Sequence, residues 1–226
     1  MALTIDLVDV FVDEAGAHGN PLGIAWASPS TRGRERDIVA DVGFSETVFI
    51  DSVSGRDARA RIFGRAGELP FSGHPLVGLA AWLLGSGDDI RSIAVPAGDV
   101  RVRADGDLVF VRALPEWAPE FQLEQLDSVE AVEGVDPDAY GRGLHYVWAW
   151  IDEGGGRVRA RMFAPGLGIR EDEATGSAAI RLSAQLARDL DIRQGAGSML
   201  RTHSRYLGQQ IEVGGRTSPA RTFELG

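Results

Sequence analysis

Two hydrophobic periods run through this chain. Apolar and polar residues alternate over Leu3 to Val12 and Asp57 to Phe63, which predicts strands with one buried face; Leu22 to Ala27 reads as a further strand, and Phe44 to Ile50 as a β-branched and aromatic one. Leu76 to Leu84 breaks the alternation: it carries almost no polar side chain and predicts a helix buried on all sides. Proline is tolerated in a first helical turn, so Pro75 marks the start and the helix is predicted over 74–85. Earlier, Ser30 or Thr31 is expected to cap a helix that runs to Val42 and stops at Gly43. Short strands follow at Ile93 to Val95, Asp99 to Val102 and Leu108 to Arg112, between glycine-containing turns.

The plan then recurs. Arg59-Ala60-Arg61-Ile62-Phe63 precedes the first helix, and Arg159-Ala160-Arg161-Met162-Phe163 precedes a second, predicted over 176–190. Arg181, Gln185 and Arg188 give that second helix a polar stripe and mark it as the wetter one. Leu114 to Pro119 reads as a linker, Glu124 to Asp138 as a solvated acidic surface, and Leu144 to Ile151 as a strand. Strand-like segments follow at Met199 to His203, Gln209 to Val213 and Thr217 to Leu225. The chain is therefore expected to form two related halves, 1–113 and 114–226, with its last strand free to cross back onto the first half.

Each half presents a helix N-terminus: Ser72-Gly73-His74 in one and Thr175-Gly176-Ser177 in the other. Free N–H groups and the positive end of the helix dipole make such an end an anion site. A cleft between the two ends is the expected active site.

Composition narrows the chemistry. The chain has 226 residues, no cysteine and a formal charge of −10, and every basic residue other than histidine is arginine. Without cysteine there is no thiolate nucleophile, and without lysine there is no Schiff base and no phosphate loop of the Gly-Lys-Ser type. The acidic balance argues against nucleic acid and anionic membranes as partners. The scattered histidines His18, His74, His145 and His203 show no metal-ligand spacing, so no metal is expected. Met1 to Val12 has no basic flank and no apolar run approaches the roughly 18 residues of a membrane span, which leaves the cytoplasm as the default location.

What remains is carboxylate, histidine, hydroxyl and backbone chemistry. Glu46 sits at the start of an apolar strand: it either faces solvent or lies against the Val48 and Phe49 side of the cleft, where desolvation would raise its pKa as a proton-shuttling base requires. His74 is a helix-capping histidine or a site residue, and Asp172 is a site carboxylate or the charge that starts the second helix. Ser177 could equally be a plain first-turn serine, and Asn20-Pro21 is a turn first. The Gln194 to Ser198 segment reads as a loop that could wall the cleft, and Glu68 and Asp41 read as surface carboxylates.

Taken together, Asn20-Pro21-Leu22, Ser45-Glu46-Thr47-Val48-Phe49, Glu68-Leu69-Pro70-Phe71-Ser72-Gly73-His74-Pro75, Arg161-Met162-Phe163-Ala164-Pro165 and Glu171-Asp172-Glu173-Ala174-Thr175-Gly176-Ser177-Ala178 resemble the phenazine-biosynthesis isomerase family. The resemblance covers most of the chain up to Ser198. It implies an α+β diaminopimelate epimerase-like fold, two pseudo-symmetric halves each wrapping a curved sheet around a central helix. It also implies cofactor-independent proton transfer between carbons, on a dihydro-hydroxyanthranilate in the phenazine pathway itself. Carried over by motif, the catalytic residues would be Glu46, His74, Asp172 and Ser177, with Ser72, Gly73, Thr175, Gly176, Asn20 and Ser198 around a small anionic substrate. A homodimer is the family expectation. The competing functions are a racemase or epimerase with Glu46 and either His74 or Asp172 as its two bases, and a binding protein that kept the cleft and lost the reaction.

Overall fold

Strands form wherever the alternation predicts them within residues 3–225, which are the residues that the computed structural model describes; the first two positions of the Met1 to Val12 reading lie outside them. The first half runs β1 (Leu3–Val12), β2 (Asn20–Trp26), α1 (Glu35–Val42), β3 (Glu46–Ser54), β4 (Asp57–Gly64), β5 (Gly67–Leu69), α2 (Gly73–Gly85), β6 (Ser92–Val95), β7 (Gly98–Asp105) and β8 (Leu108–Ala113). The second half runs β9 (Gln122–Gln125), α3 (Val129–Glu133), β10 (His145–Asp152), β11 (Arg157–Ala164), β12 (Ile169–Asp172), α4 (Gly176–Leu186), β13 (Leu190–Gln194), β14 (Ser198–Arg205), β15 (Gln210–Thr217) and β16 (Arg221–Leu225).

From β2 to β8 and from β9 to β15 the order of elements is the same, and so is the register. Thr47 of β3 faces Phe63 of β4, and His145 of β10 faces Phe163 of β11. β4 then pairs in parallel with β6, and β11 with β13, with α2 and α4 as the respective crossovers. All strands belong to one sheet. Because β1 pairs with both β2 and β15, the strands β1, β2, β3, β4, β6, β7, β8 and β15 close into a ring. The second half stays open at β9, and the linker with its short helical turn Pro115–Trp117 lies between β8 and β9. β16 pairs antiparallel with β1.

Each central helix fills the hollow of its half. On α2, residues Gly73 to Ala80 and Leu83 are buried against inward side chains such as Val10, Leu22, Val48 and Ile62. The outer faces are covered by the short helices: Ile38 and Val39 of α1 meet Phe49 and Phe63, and Val132 of α3 meets Val147 and Phe163. Alternation therefore sends Val48 inward and Phe49 outward, so the two do not share one wall of the cleft.

Several expectations need correction. α1 starts at Glu35, because the Thr31 hydroxyl bonds the Ser28 backbone N–H (2.8 Å) and carbonyl (3.0 Å) and closes a turn instead of capping a helix. α2 begins at Gly73, two residues before Pro75. α4 ends at Leu186, where Ala187 turns left-handed (φ 51°), so the predicted helix end at 190 is already the start of β13. Arg159 alternates in sequence with the apolar Val158 and Ala160, yet it is itself 4% exposed, held by Glu133 and the carbonyls of Arg193 and Gly195.

The two central helices meet N-terminus to N-terminus through Gly73 and Gly176. A Cβ on Gly73 would lie 2.9 Å from the Gly176 carbonyl carbon, and one on Gly176 would lie 3.1 Å from the Gly73 carbonyl carbon. Backbone cannot swing aside as a side chain can. Gly73→Ala is therefore expected to destabilise the protein by about 1–3 kcal/mol, the usual cost of overpacking, read as a lower urea midpoint with an unchanged m-value.

Candidate active site

Glu46 opens β3 on the inward face, opposite Gly64. Its side chain is 18% exposed, and its Oε2 lies 3.6 Å from Nε2 of His74, in the first turn of α2. Burial raises the Glu46 pKa above the ordinary carboxylate value, while the Ser45 and Ser72 hydroxyls beside it pull the other way. His74 is 4% exposed; burial lowers its pKa to about 4, against the opposing pull of the Asp172 charge and the Pro21 backbone. At neutral pH this histidine is an uncharged imidazole.

Asp172 ends β12, and its carboxylate does not cap the second helix with a backbone bond. Oδ1 accepts from Asn20 Nδ2 (2.7 Å) and Oδ2 from the Thr175 hydroxyl (2.5 Å). Burial pushes its pKa up to about 6; the Thr175 hydroxyl, His74 and Asn20 oppose the rise, and the nearby Glu46 charge adds to it. Asn20 also donates to the Ala174 carbonyl (2.9 Å), and so ties β2 of the first half to the approach of α4.

These groups surround a cavity of about 420 Å³ between the two helix ends. One wall is apolar, formed by Phe71, Trp117, Phe121, Leu144, Met162 and Ile169, with Leu167 on the rim; the other carries Glu46, Ser72, His74, Asp172, Thr175, Gly176 and Ser177. No arginine lines it, so a bound anion would rest on backbone N–H groups rather than on guanidinium. Buried polar atoms normally have partners, yet Ser45 Oγ and His74 Nε2 have none among the described residues, and both residues line the cavity.

The duplicated register shows that the halves contribute different groups. The position matching Glu46 is Leu144, one residue before the His145–Phe163 pair, and the position matching Asp172 is Leu69, which faces Ile62 as Asp172 faces Met162. His74 and Ser177 occupy matching places just after Gly73 and Gly176. All six line the cavity.

Of the residues singled out in the sequence, Glu46, His74, Asp172, Ser177, Ser72, Thr175 and Gly176 come together on the lining. Gly73 lies behind it, its N–H 3.4 Å from Ser177 Oγ. Asn20 supports Asp172 from outside. Ser198 is fully buried away from the lining, accepting from the Gly19 N–H (2.9 Å) and donating to Glu173 (2.7 Å). Sequence reasoning missed the apolar wall around Trp117 and Phe121, and the buried Gln194 and Tyr146 beneath Thr175. The isolated aromatic pair in a proline-flanked linker was the available signal for the former. Among the described residues no cluster of histidine and carboxylates is arranged to hold a metal, and no helix is long and apolar enough to cross a membrane.

Two sheet-wrapped helices meeting end to end, with buried acid–base groups at their junction, define the diaminopimelate epimerase-like class of fold, and the chain resembles solved members of it. A PhzF-family protein from Enterococcus faecalis superposes with a TM-score of 0.79 at 20% identity over 100% of both chains. A hydroxyproline epimerase from Agrobacterium vitis superposes with a TM-score of 0.60 at 14% identity, over 98% of this chain and 93% of that one. The family model for phenazine biosynthesis-like proteins matches residues 8–133 and 116–205, and the chain belongs to that family, PhzC-PhzF. The trans-2,3-dihydro-3-hydroxyanthranilate isomerase of Pseudomonas aeruginosa is 29% identical over 245 aligned positions, covering 92% of this chain and 83% of the relative. An uncharacterised isomerase from Vibrio cholerae is 29% identical over 211 positions, covering 80% and 74%. The protein is an isomerase.

The state of His74 can be tested through stability. Between its ordinary value of 6.5 and about 4, the unfolded chain takes up a proton that the folded chain refuses, so His74 makes stability fall as pH drops through that window. Asp172 acts in the opposite sense between 3.8 and about 6, because the folded chain holds its proton more tightly. His74→Gln should therefore lose less melting temperature than the wild type on acidification from pH 6.5 to about 4; equal slopes would mean that His74 is not held neutral.

Proposed function

We propose that this isomerase moves a proton between carbons of a small carboxylate substrate without a cofactor, with Glu46 as the group that removes and returns it. The observation that carries the reading is Glu46 itself: a half-buried carboxylate of raised pKa on the cavity lining, backed by an uncharged imidazole 3.6 Å away. A carboxylate whose pKa is raised toward neutrality both accepts and releases a proton readily, which a shuttle needs in both halves of the reaction. The substrate carboxylate is held by first-turn N–H groups at Gly176-Ser177 and His74, and these also stabilise the negative charge that develops as the proton leaves. Asp172 and Ser177 complete the polar wall, and the apolar wall takes the carbon skeleton.

The unequal halves favour proton relocation over inversion at one carbon. A racemase with its two bases at matching places of the two halves finds no support here, because Leu144 stands at the place that matches Glu46, and Leu69 at the place that matches Asp172. A racemase that pairs Glu46 with His74 or Asp172 is told apart by the stereochemistry of the product. The substrate named for the Pseudomonas aeruginosa relative, trans-2,3-dihydro-3-hydroxyanthranilate, fits this division as a carboxylate on a carbon ring, and is the first compound to try.

Proton NMR in deuterated water with that compound tests the assignment. The wild type is expected to incorporate solvent deuterium as it isomerises the ring, and Glu46→Gln to do so at least about 10²-fold more slowly, in line with the loss of a general base. The melting temperature of Glu46→Gln should stay level or rise, because the substitution removes a buried charge whose raised pKa costs stability at neutral pH. Full exchange in that variant would remove Glu46 from the mechanism.

A further inference from the structure

Gln194, the last residue of β13, is fully buried and spends its whole amide on the approach to α4. Its Oε1 accepts from the Thr175 N–H (3.1 Å) and from the Tyr146 hydroxyl (3.1 Å). Its Nε2 donates to the Asp172 carbonyl (3.0 Å) and to Thr175 Oγ1 (2.9 Å). This orientation is forced. A backbone N–H only donates and a backbone carbonyl only accepts, so the flipped amide would set donor against donor at Thr175 and acceptor against acceptor at Asp172. Because Thr175 Oγ1 accepts a hydrogen bond from Gln194, its own proton points away, toward Asp172 Oδ2 at 2.5 Å. Hydrogen-bond donation thus runs one way, from Gln194 through Thr175 to the carboxylate.

We propose that Gln194 is a positioning residue for Asp172: by fixing the Thr175 hydroxyl as a permanent donor, it holds the Asp172 carboxylate ionised and oriented in the cavity wall. The importance of this for turnover rests on the function proposed above; the direction of the hydrogen bonds does not. The other groups that act on Asp172 are Asn20 from β2, His74 from α2, Glu46 from β3 and the un-ionised Tyr146 from β10. None of them is bonded to the Thr175 hydroxyl. Glu173, the neighbouring carboxylate, is committed elsewhere, accepting from Ala196 N–H (2.8 Å) and Ser198 Oγ (2.7 Å). A hydroxyl that only donates lowers a carboxylate's pKa, and one free to rotate does so less. Gln194 therefore acts on the proton affinity of a side chain it does not touch.

The test is a carbon-13 NMR titration of protein carrying labelled aspartate, with the Asp172 carboxyl signal assigned by its loss in Asp172→Asn. Thr175→Val, which keeps the shape and deletes the donor, is expected to raise the Asp172 midpoint by about one unit or more. Gln194→Met should raise it by part of that amount, and the double variant should match Thr175→Val alone, because Gln194 reaches the Asp172 carboxylate through the threonine hydroxyl and otherwise bonds Asp172 only at its backbone carbonyl. An unchanged midpoint in Gln194→Met, or a double variant whose shift is the sum of the two, would overturn the relay. Gln194→Asn, whose amide is one carbon too short to reach Thr175, replaces the methionine variant if that one does not fold. No substrate enters the titration, so its outcome is separate from whether the isomerisation is found.

Discussion

The contact between Gly73 and Gly176 governs the rest of the molecule. It lets two helices approach until their backbones touch, and it brings two positive dipole ends together, an arrangement that repels itself unless negative charge lies close by. Asp172 and Glu46 supply that charge. Both carboxylates sit close to the helix ends, yet burial outweighs the attraction of those ends, so both carry a raised pKa. Asp172 is pushed up to about 6, and Glu46 is shifted in the same direction.

The same junction explains why so acidic a protein keeps its guanidinium groups away from the cavity. Arg61 and Arg161 both lie on outward sheet faces, where Arg61 bonds Glu35 and Asp51, and Arg161 bonds Glu171 and the carbonyls at the end of α3. Each is stacked near the phenylalanine two residues on, with the guanidinium carbon 5.5 Å from the Phe63 ring and 4.9 Å from the Phe163 ring. They fasten the covering helices to the sheet. An arginine inside the cavity would form tight ion pairs with Glu46 or Asp172 and hold them ionised, which would remove the raised pKa that makes them useful.

Much of this was legible in the sequence because it rests on local signals. Alternation placed the strands, an apolar run with Pro75 placed α2, and the repeated Arg-Ala-Arg-x-Phe motif exposed the duplication. Six of the seven residues that gather on the lining do so for the same reason: they lie at or just before the starts of α2 and α4, and helix starts are readable, while Glu46 opens β3. What escaped depends on long-range contacts. In β13 the buried alternation is Leu190, Ile192, Gln194, and a glutamine in the third place hides the strand. Arg159 looks like a surface residue until Glu133, far off in sequence, covers it. The Thr31 turn is a local miss instead: its hydroxyl bonds the backbone groups of Ser28, three residues back, and does not cap a helix.

Duplication would ordinarily leave a cavity on a pseudo-twofold axis, and such a cavity admits a ligand in either of two poses related by half a turn. Divergence at Glu46 against Leu144 and at Asp172 against Leu69 makes those poses unlike. In one, the ring edge meets a carboxylate; in the other, it meets a hydrocarbon. The molecule therefore has a sense of direction that its architecture alone lacks, and in the reaction proposed above a proton from Glu46 would reach the same prochiral face in every turnover.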